Sequence, residues 1–216
     1  MARSSRTTFE IATPSGPGQV VLERPGAETR ALLLLGHGAS GGVDAADLVA
    51  VRTAALAEGI AVARVTQPYR VAGRKVPPAA PILDAAFTAI VEKVRGRVGR
   101  DVGFVVGGRS SGARVACRTG RELGAAGALA LAFPLHPPGQ PTKSRAGELD
   151  PELPTLVVNG DRDPFGVPEP VGLVRVEIRP GNRHDLRKDL AGTAALCIEW
   201  LRDLAGIASL IPTNPA

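Results

Sequence analysis

Aromatic residues are scarce in this chain, with five phenylalanines, one tyrosine and one tryptophan among 216 residues. Proteins that hold single-stranded nucleic acid stack bases on exposed rings, and so few rings cannot build such a platform. Cysteine occurs only at Cys117 and Cys197, both inside helical patterns. Two thiols so placed read as buried and reduced, which excludes a disulfide framework and a thiolate metal centre and points to a cytosolic protein. Lysine occurs only at Lys75, Lys93, Lys143 and Lys188. None of them completes a G-x-x-x-x-G-K-[ST] loop, and the dinucleotide-binding glycine spacing is also missing. No apolar run approaches the ~18 residues of a bilayer-spanning helix, and the segment 1–15 carries arginines without the apolar centre of a secretory leader. Neither membrane attachment nor secretion is expected. No cluster of His, Cys, Asp and Glu has metal-ligand spacing, so neither a metal nor any other cofactor is expected.

What the chain does have is positive charge, 26 Lys and Arg against 21 Asp and Glu, for a net +5. A basic surface raises nucleic-acid binding as a question. The arginines are scattered rather than clustered, and no zinc-finger, RNP or oligonucleotide-barrel pattern accompanies them, so no nucleic-acid partner is expected. With 44% apolar content, the length suffices for one well-covered core but not for two ordinary domains and a linker. We expect a single domain over 1–206 and a proline-bearing tail over 207–216. The sequence leaves the oligomeric state open.

Along the chain, 7–13 and 19–23 read as an edge hairpin around a Pro-Gly turn cluster. A fully aliphatic run, 31–35, then enters a glycine-rich turn and a helix over 45–58. Strand 60–65 leads to a proline-limited basic loop, 67–75, and a helix over 80–95 with Ile82, Ala86, Ile90 and Val94 as its apolar stripe. Further strands are expected at 102–106, 127–133, 155–158 and 174–178, with helices at 113–123 and 186–204, the last capped by Asp185. The segment 134–154, rich in proline and glycine, is too short for a lid domain. Apolar strands alternating with helices call for an α/β fold: an open, doubly wound, mostly parallel sheet with helices on both faces and ligands at the carboxyl ends of its strands.

The sharpest signal lies between strand 102–106 and the helix that follows. Gly108, Ser110 and Gly112 form G-x-S-x-G in a strand-turn-helix setting, the nucleophile elbow that presents a serine at the top of a parallel sheet. A serine hydroxyl needs a base, and an imidazole oriented by a carboxylate is the usual one. Ser110, Asp163 and His184 follow three different strands in the Ser, Asp, His order of such sheets. Asp161 is the alternative acid. Its Gly-Asp setting suits a turn carboxylate, whereas Asp163 stands before Pro164, where the chain leaves the strand. Of the other histidines, His37 at the end of the first central strand suits a structural, backbone-bonding role, and His136 would border the pocket. Amides for an oxyanion are expected from Ser111, after the nucleophile, and Ala39, in the glycine-rich turn after 31–35.

The elbow Gly108-Arg109-Ser110-Ser111-Gly112, the turn Gly36-His37-Gly38-Ala39, the acid turn Asn159-Gly160-Asp161-Arg162-Asp163-Pro164-Phe165 and His184 together resemble the small, lidless α/β-hydrolases related to dienelactone hydrolase. The segment Phe133-Pro134-Leu135-His136-Pro137-Pro138-Gly139 is similar to one in the family that includes the third subunit of the NSL histone-acetyltransferase complex and its testis-expressed relatives. The resemblance spans nearly everything from Thr8 to Leu204 and implies the α/β-hydrolase fold. A serine stands where dienelactone hydrolase has cysteine. Two functions follow as expectations. One is a serine hydrolase cleaving a small-molecule ester or thioester; the other is a non-catalytic scaffold of the same fold that binds a protein partner. For the first, Tyr69, Arg70, Arg109 and His136 are candidate substrate contacts. Arg70, Arg74 and Lys75 near Arg109 would clamp an anionic group on the substrate, or else form a solvated basic loop.

Overall fold

Strands that are apolar on both faces need cover on both, and this requirement sets the architecture. In a computed structural model that describes residues 4–26 and 28–204, eight strands form one sheet. They are β1 (Ser5–Thr13), β2 (Gly16–Arg24), β3 (Ala31–Gly36), β4 (Ile60–Thr66), β5 (Phe104–Arg109), β6 (Ala128–Leu131), β7 (Thr155–Gly160) and β8 (Val174–Arg179). The spatial order is β1-β2-β4-β3-β5-β6-β7-β8. The β1/β2 and β2/β4 pairs are antiparallel, and every pair from β4 through β3 to β8 is parallel. The expected tail, 207–216, lies outside the described residues.

The long helices are α1 (Ala46–Ala57), α3 (Ala80–Val98), α4 (Ser111–Thr119) and α5 (Leu190–Asp203), with a single turn, α2 (Pro68–Val71), after β4. Alternate side chains of β3 divide between two layers. Leu32 and Leu34 pack with Phe87 and Ile90 of α3 and Val115 of α4, while Leu33 and Leu35 pack with Val51 of α1 and Trp200 of α5. Burial on both faces is why these strands read as unbroken aliphatic runs. No helix among the described residues is long and apolar enough to cross a membrane.

Five expectations need correction. The helix expected at 113–123 runs instead over Ser111–Thr119. The stripe of α3 runs through Leu83, Ala86, Phe87, Ile90, Val91 and Val94, with Ile82 45% exposed. At 3.6 residues per turn, a strict four-residue repeat drifts by ~40° at each step, so its first member leaves the buried face. Strand 102–106 moves to Phe104–Arg109, continuing through both glycines. At Gly107 a Cβ would lie 2.8 Å from Leu129 O, so the close neighbouring strand excludes any side chain. Strand 127–133 shortens to Ala128–Leu131 because Ala132 turns to φ 48°. The last helix begins at Leu190, where Asp189 rather than Asp185 caps it by accepting the Gly192 N–H at 2.9 Å. The preceding turn is diverted at Leu186, which holds φ 50° with its side chain fully buried.

Candidate active site

Ser110 sits between β5 and α4 at φ 52° and ψ −111°, a backbone region that costs a non-glycine residue of order 1–3 kcal/mol. Its neighbours explain how the turn closes. A Cβ at Gly108 would lie 2.6 Å from Gly36 O and 2.7 Å from the Gly112 carbonyl carbon, and one at Gly112 would overlap Gly36 O. Strand β3, strand β5 and helix α4 meet backbone to backbone at these glycines, and only residues without side chains permit it. The Ser110 amide donates to Leu131 O at 2.9 Å, fixing the elbow to β6.

The structure brings Ser110, Asp163 and His184 together from the ends of β5, β7 and β8. His184 Nδ1 lies 2.8 Å from Asp163 Oδ2, and Nε2 lies 2.9 Å from Ser110 Oγ. The carboxylate fixes the tautomer: Nδ1–H donates to Asp163, leaving the Nε2 lone pair to accept from the serine hydroxyl. Asp163 has a fully buried side chain whose second oxygen accepts the Phe165 N–H at 2.9 Å. Asp161 is exposed and makes no hydrogen bond to His184. The Phe165 ring lies over the imidazole, with centroids 4.2 Å apart and planes tilted by 31°. Sequence reasoning did not single out Phe165; the signal available was an aromatic two residues beyond the candidate acid.

The Ala39 and Ser111 amides have no hydrogen-bond partner among the described residues. Ser111 opens α4, where first-turn N–H groups lack intrahelical acceptors. The Ala39 amide is oriented by its surroundings. His37 Nε2 accepts the Gln67 N–H at 3.1 Å, so the proton is on Nδ1, which donates to Gly38 O at 2.7 Å. Gly38 O and Ala39 N–H belong to one trans peptide and point in opposite directions, so holding the first aims the second. Burial pushes the His37 pKa down, outweighing its bond to Gly38 and keeping the ring neutral. Tyr69 Oη donates to Ala39 O at 2.7 Å, pinning the next peptide; burial raises its pKa and keeps the hydroxyl protonated.

The expected substrate contacts fall out differently. Tyr69 is not on a loop over the site. Pro68 at the first helical position turns 68–71 into α2, which carries the Tyr69 ring into the core at 2% exposure. Arg109 has two of its guanidinium nitrogens engaged within the protein: Nε donates to Asp47 Oδ2 at 2.7 Å and Nη2 to His184 O at 2.5 Å. Arg70 donates to Arg74 O at 3.2 Å, and Arg74 and Lys75 are exposed. His136 bonds Pro137 O through Nδ1 and packs against Gly166 of the acid turn, with no hydrogen bond to Ser110, Asp163 or His184 among the described residues.

A model of the alpha/beta hydrolase domain matches residues 29–187. Among solved structures, a serine hydrolase without a lid from Xanthomonas campestris is 18% identical with a TM-score of 0.72, covering 98% of this chain and 97% of that one. A serine hydrolase homologue from Coxiella burnetii is 19% identical with a TM-score of 0.75, covering 92% and 97%. Dienelactone hydrolase from Anabaena variabilis is 16% identical with a TM-score of 0.75, covering 94% and 99%. No protein with a curated description matches the chain in sequence.

Proposed function

The chain belongs to the alpha/beta hydrolase family, and from that premise we propose that it is a serine hydrolase cleaving a small-molecule carboxylic ester or thioester through an acyl-enzyme. One observation carries the reading: a single imidazole, His184, lies within hydrogen-bonding distance of both Ser110 Oγ and a buried carboxylate, Asp163. In the proposed first step Ser110 Oγ attacks the acyl carbon while Nε2 takes its proton. Asp163 stabilises the resulting imidazolium. The oxyanion accepts from the Ala39 and Ser111 amides, and the α4 N-terminus adds favourable charge there. Collapse of the tetrahedral intermediate breaks the bond to the leaving oxygen or sulfur, which His184 protonates so that it departs as an alcohol or thiol. Water then attacks the acyl-enzyme by the same route, returning Ser110. No cofactor enters this scheme.

The test is hydrolysis of p-nitrophenyl acetate and of a short acyl thioester by the wild type and by Ser110→Ala. Triad members act as a unit, so the substitution should lower kcat by at least ~10³-fold. A wild type inert toward both substrate classes would contradict the proposal and favour a scaffold that binds a protein partner.

A further inference from the structure

We infer that Arg109, acting with Asp47, is a positioning residue that ties the backbone of His184 to the strand carrying Ser110. The inference rests on the serine-hydrolase reading above. Arg109 Nη2 donates to His184 O at 2.5 Å, and Nε donates to Asp47 Oδ2 at 2.7 Å. Asp47 lies in the first turn of α1 with its side chain 1% exposed, and its other oxygen accepts the Leu48 N–H at 2.9 Å. A guanidinium is planar and holds its donors in a rigid fork, so gripping it at Nε fixes where Nη2 points. Adjacent residues therefore hold His184 at both ends: Ser110 meets the ring, and Arg109 meets the backbone carbonyl.

The grip matters because His184 stands in an irregular turn between β8 and α5, just before the left-handed Leu186. The imidazole is only as well placed as the backbone beneath it. Other hydrogen bonds hold this turn on its far side. Asn182 O accepts the Arg162 N–H at 3.0 Å, and Asn182 Oδ1 accepts the Lys188 N–H at 2.9 Å. Those anchor it to the acid turn after β7 and to its own continuation. Among the described residues, the Arg109 bond is the one hydrogen bond joining it to β5 apart from the Ser110–His184 contact itself. The same guanidinium borders the turn that carries Ala39: a Cβ at Gly38 would lie 3.5 Å from Nη1. Misplacing a reacting group by about 1 Å costs on the order of 10²-fold in rate, which sets the expected size of the effect.

Two variants separate positioning from folding. Arg109→Met keeps an apolar stem but leaves the Asp47 charge buried and unpaired, so it should lower both Tm and kcat. Arg109→Met/Asp47→Asn removes that charge as well. The double variant should regain most of the lost Tm, yet kcat toward p-nitrophenyl acetate should stay ~10–100-fold below wild type with KM within about twofold. In parallel, the His184 Nδ1–H proton resonance, read on histidine-labelled protein, should be sharp in the wild type and broadened by exchange with water in the double variant. A double variant with wild-type kcat and a wild-type imidazole signal would overturn the inference. An inert wild type would count against the hydrolase reading alone, and the imidazole signal would then decide the tether by itself.

Discussion

His37 makes two hydrogen bonds with two different consequences, and substitutions can remove them one at a time. Its Nδ1–H holds Gly38 O at 2.7 Å, and Nε2 receives the Gln67 N–H at 3.1 Å. Asparagine carries its amide near the Nδ1 position, and glutamine reaches the Nε2 position. His37→Asn should therefore keep the donor that orients the Gly38–Ala39 peptide while leaving the buried Gln67 N–H unpaired, a loss of about 1–3 kcal/mol of stability. His37→Gln should keep an acceptor for Gln67 and release Gly38 O. Removing an oxyanion donor costs ~3 kcal/mol, and loosening one costs part of that, so kcat should fall about 10–100-fold. Urea unfolding and steady-state hydrolysis of p-nitrophenyl acetate measure the two quantities separately. The expected pattern is crossed: Asn less stable and active within about threefold, Gln more stable than Asn and slow. Matching losses in both variants, or the reverse assignment, would refute the reasoning. The pH dependence has a fixed sign. The folded pKa of His37 is depressed by burial, so the unfolded chain binds more protons, and the stability from the neutral ring is present above about pH 6.5 and lost as pH falls below it.

Asp163→Asn should lower kcat on the order of 10⁴-fold because the amide favours the wrong imidazole tautomer, whereas the exposed Asp161→Asn should stay within about threefold; steady-state kinetics on both decide which is the acid. Burial pushes the Cys117 and Cys197 thiols up to about 12, so neither should react with a disulfide reagent at pH 8 until urea unfolds the protein. Rapid labelling of the native protein would contradict that burial. Glu148 is pushed up by burial but held below its usual range by hydrogen bonds and charge from Arg114 and Arg118. Its contribution is therefore present above about pH 4.3 and lost as pH falls through the lower folded value. Glu148→Gln should cost about 1–2 kcal/mol at pH 7, with the difference from wild type closing toward pH 3 in denaturant titrations.

The residues that sequence reasoning brought to one edge of the sheet were those whose chemistry is local. Gly108, Ser110 and Gly112 are legible because a strand-to-helix turn this tight tolerates few side chains. The order of Ser110, Asp163 and His184 is legible because each follows a separate apolar run. The intramolecular partners of Arg109 and Tyr69 were not legible for a shared reason. A charged or amphipathic residue beside a serine or on a basic loop looks available for a ligand. Its actual partner, Asp47 or Ala39, is set by contacts across 62 or 30 residues of sequence that leave no periodic trace. The start of α5 was missed because two aspartates, Asp185 and Asp189, both suit a cap. The left-handed turn at buried Leu186, a tertiary demand, decides between them.

The central claim is that Ser110 is a nucleophile activated by His184, and covalent capture tests it most directly. Intact-mass spectrometry of the wild type treated with a fluorophosphonate should show one adduct, mapped by peptide digestion to Ser110, and Ser110→Ala and His184→Ala should show none over the same interval. An unlabelled wild type, or an adduct that persists in Ser110→Ala, would contradict it.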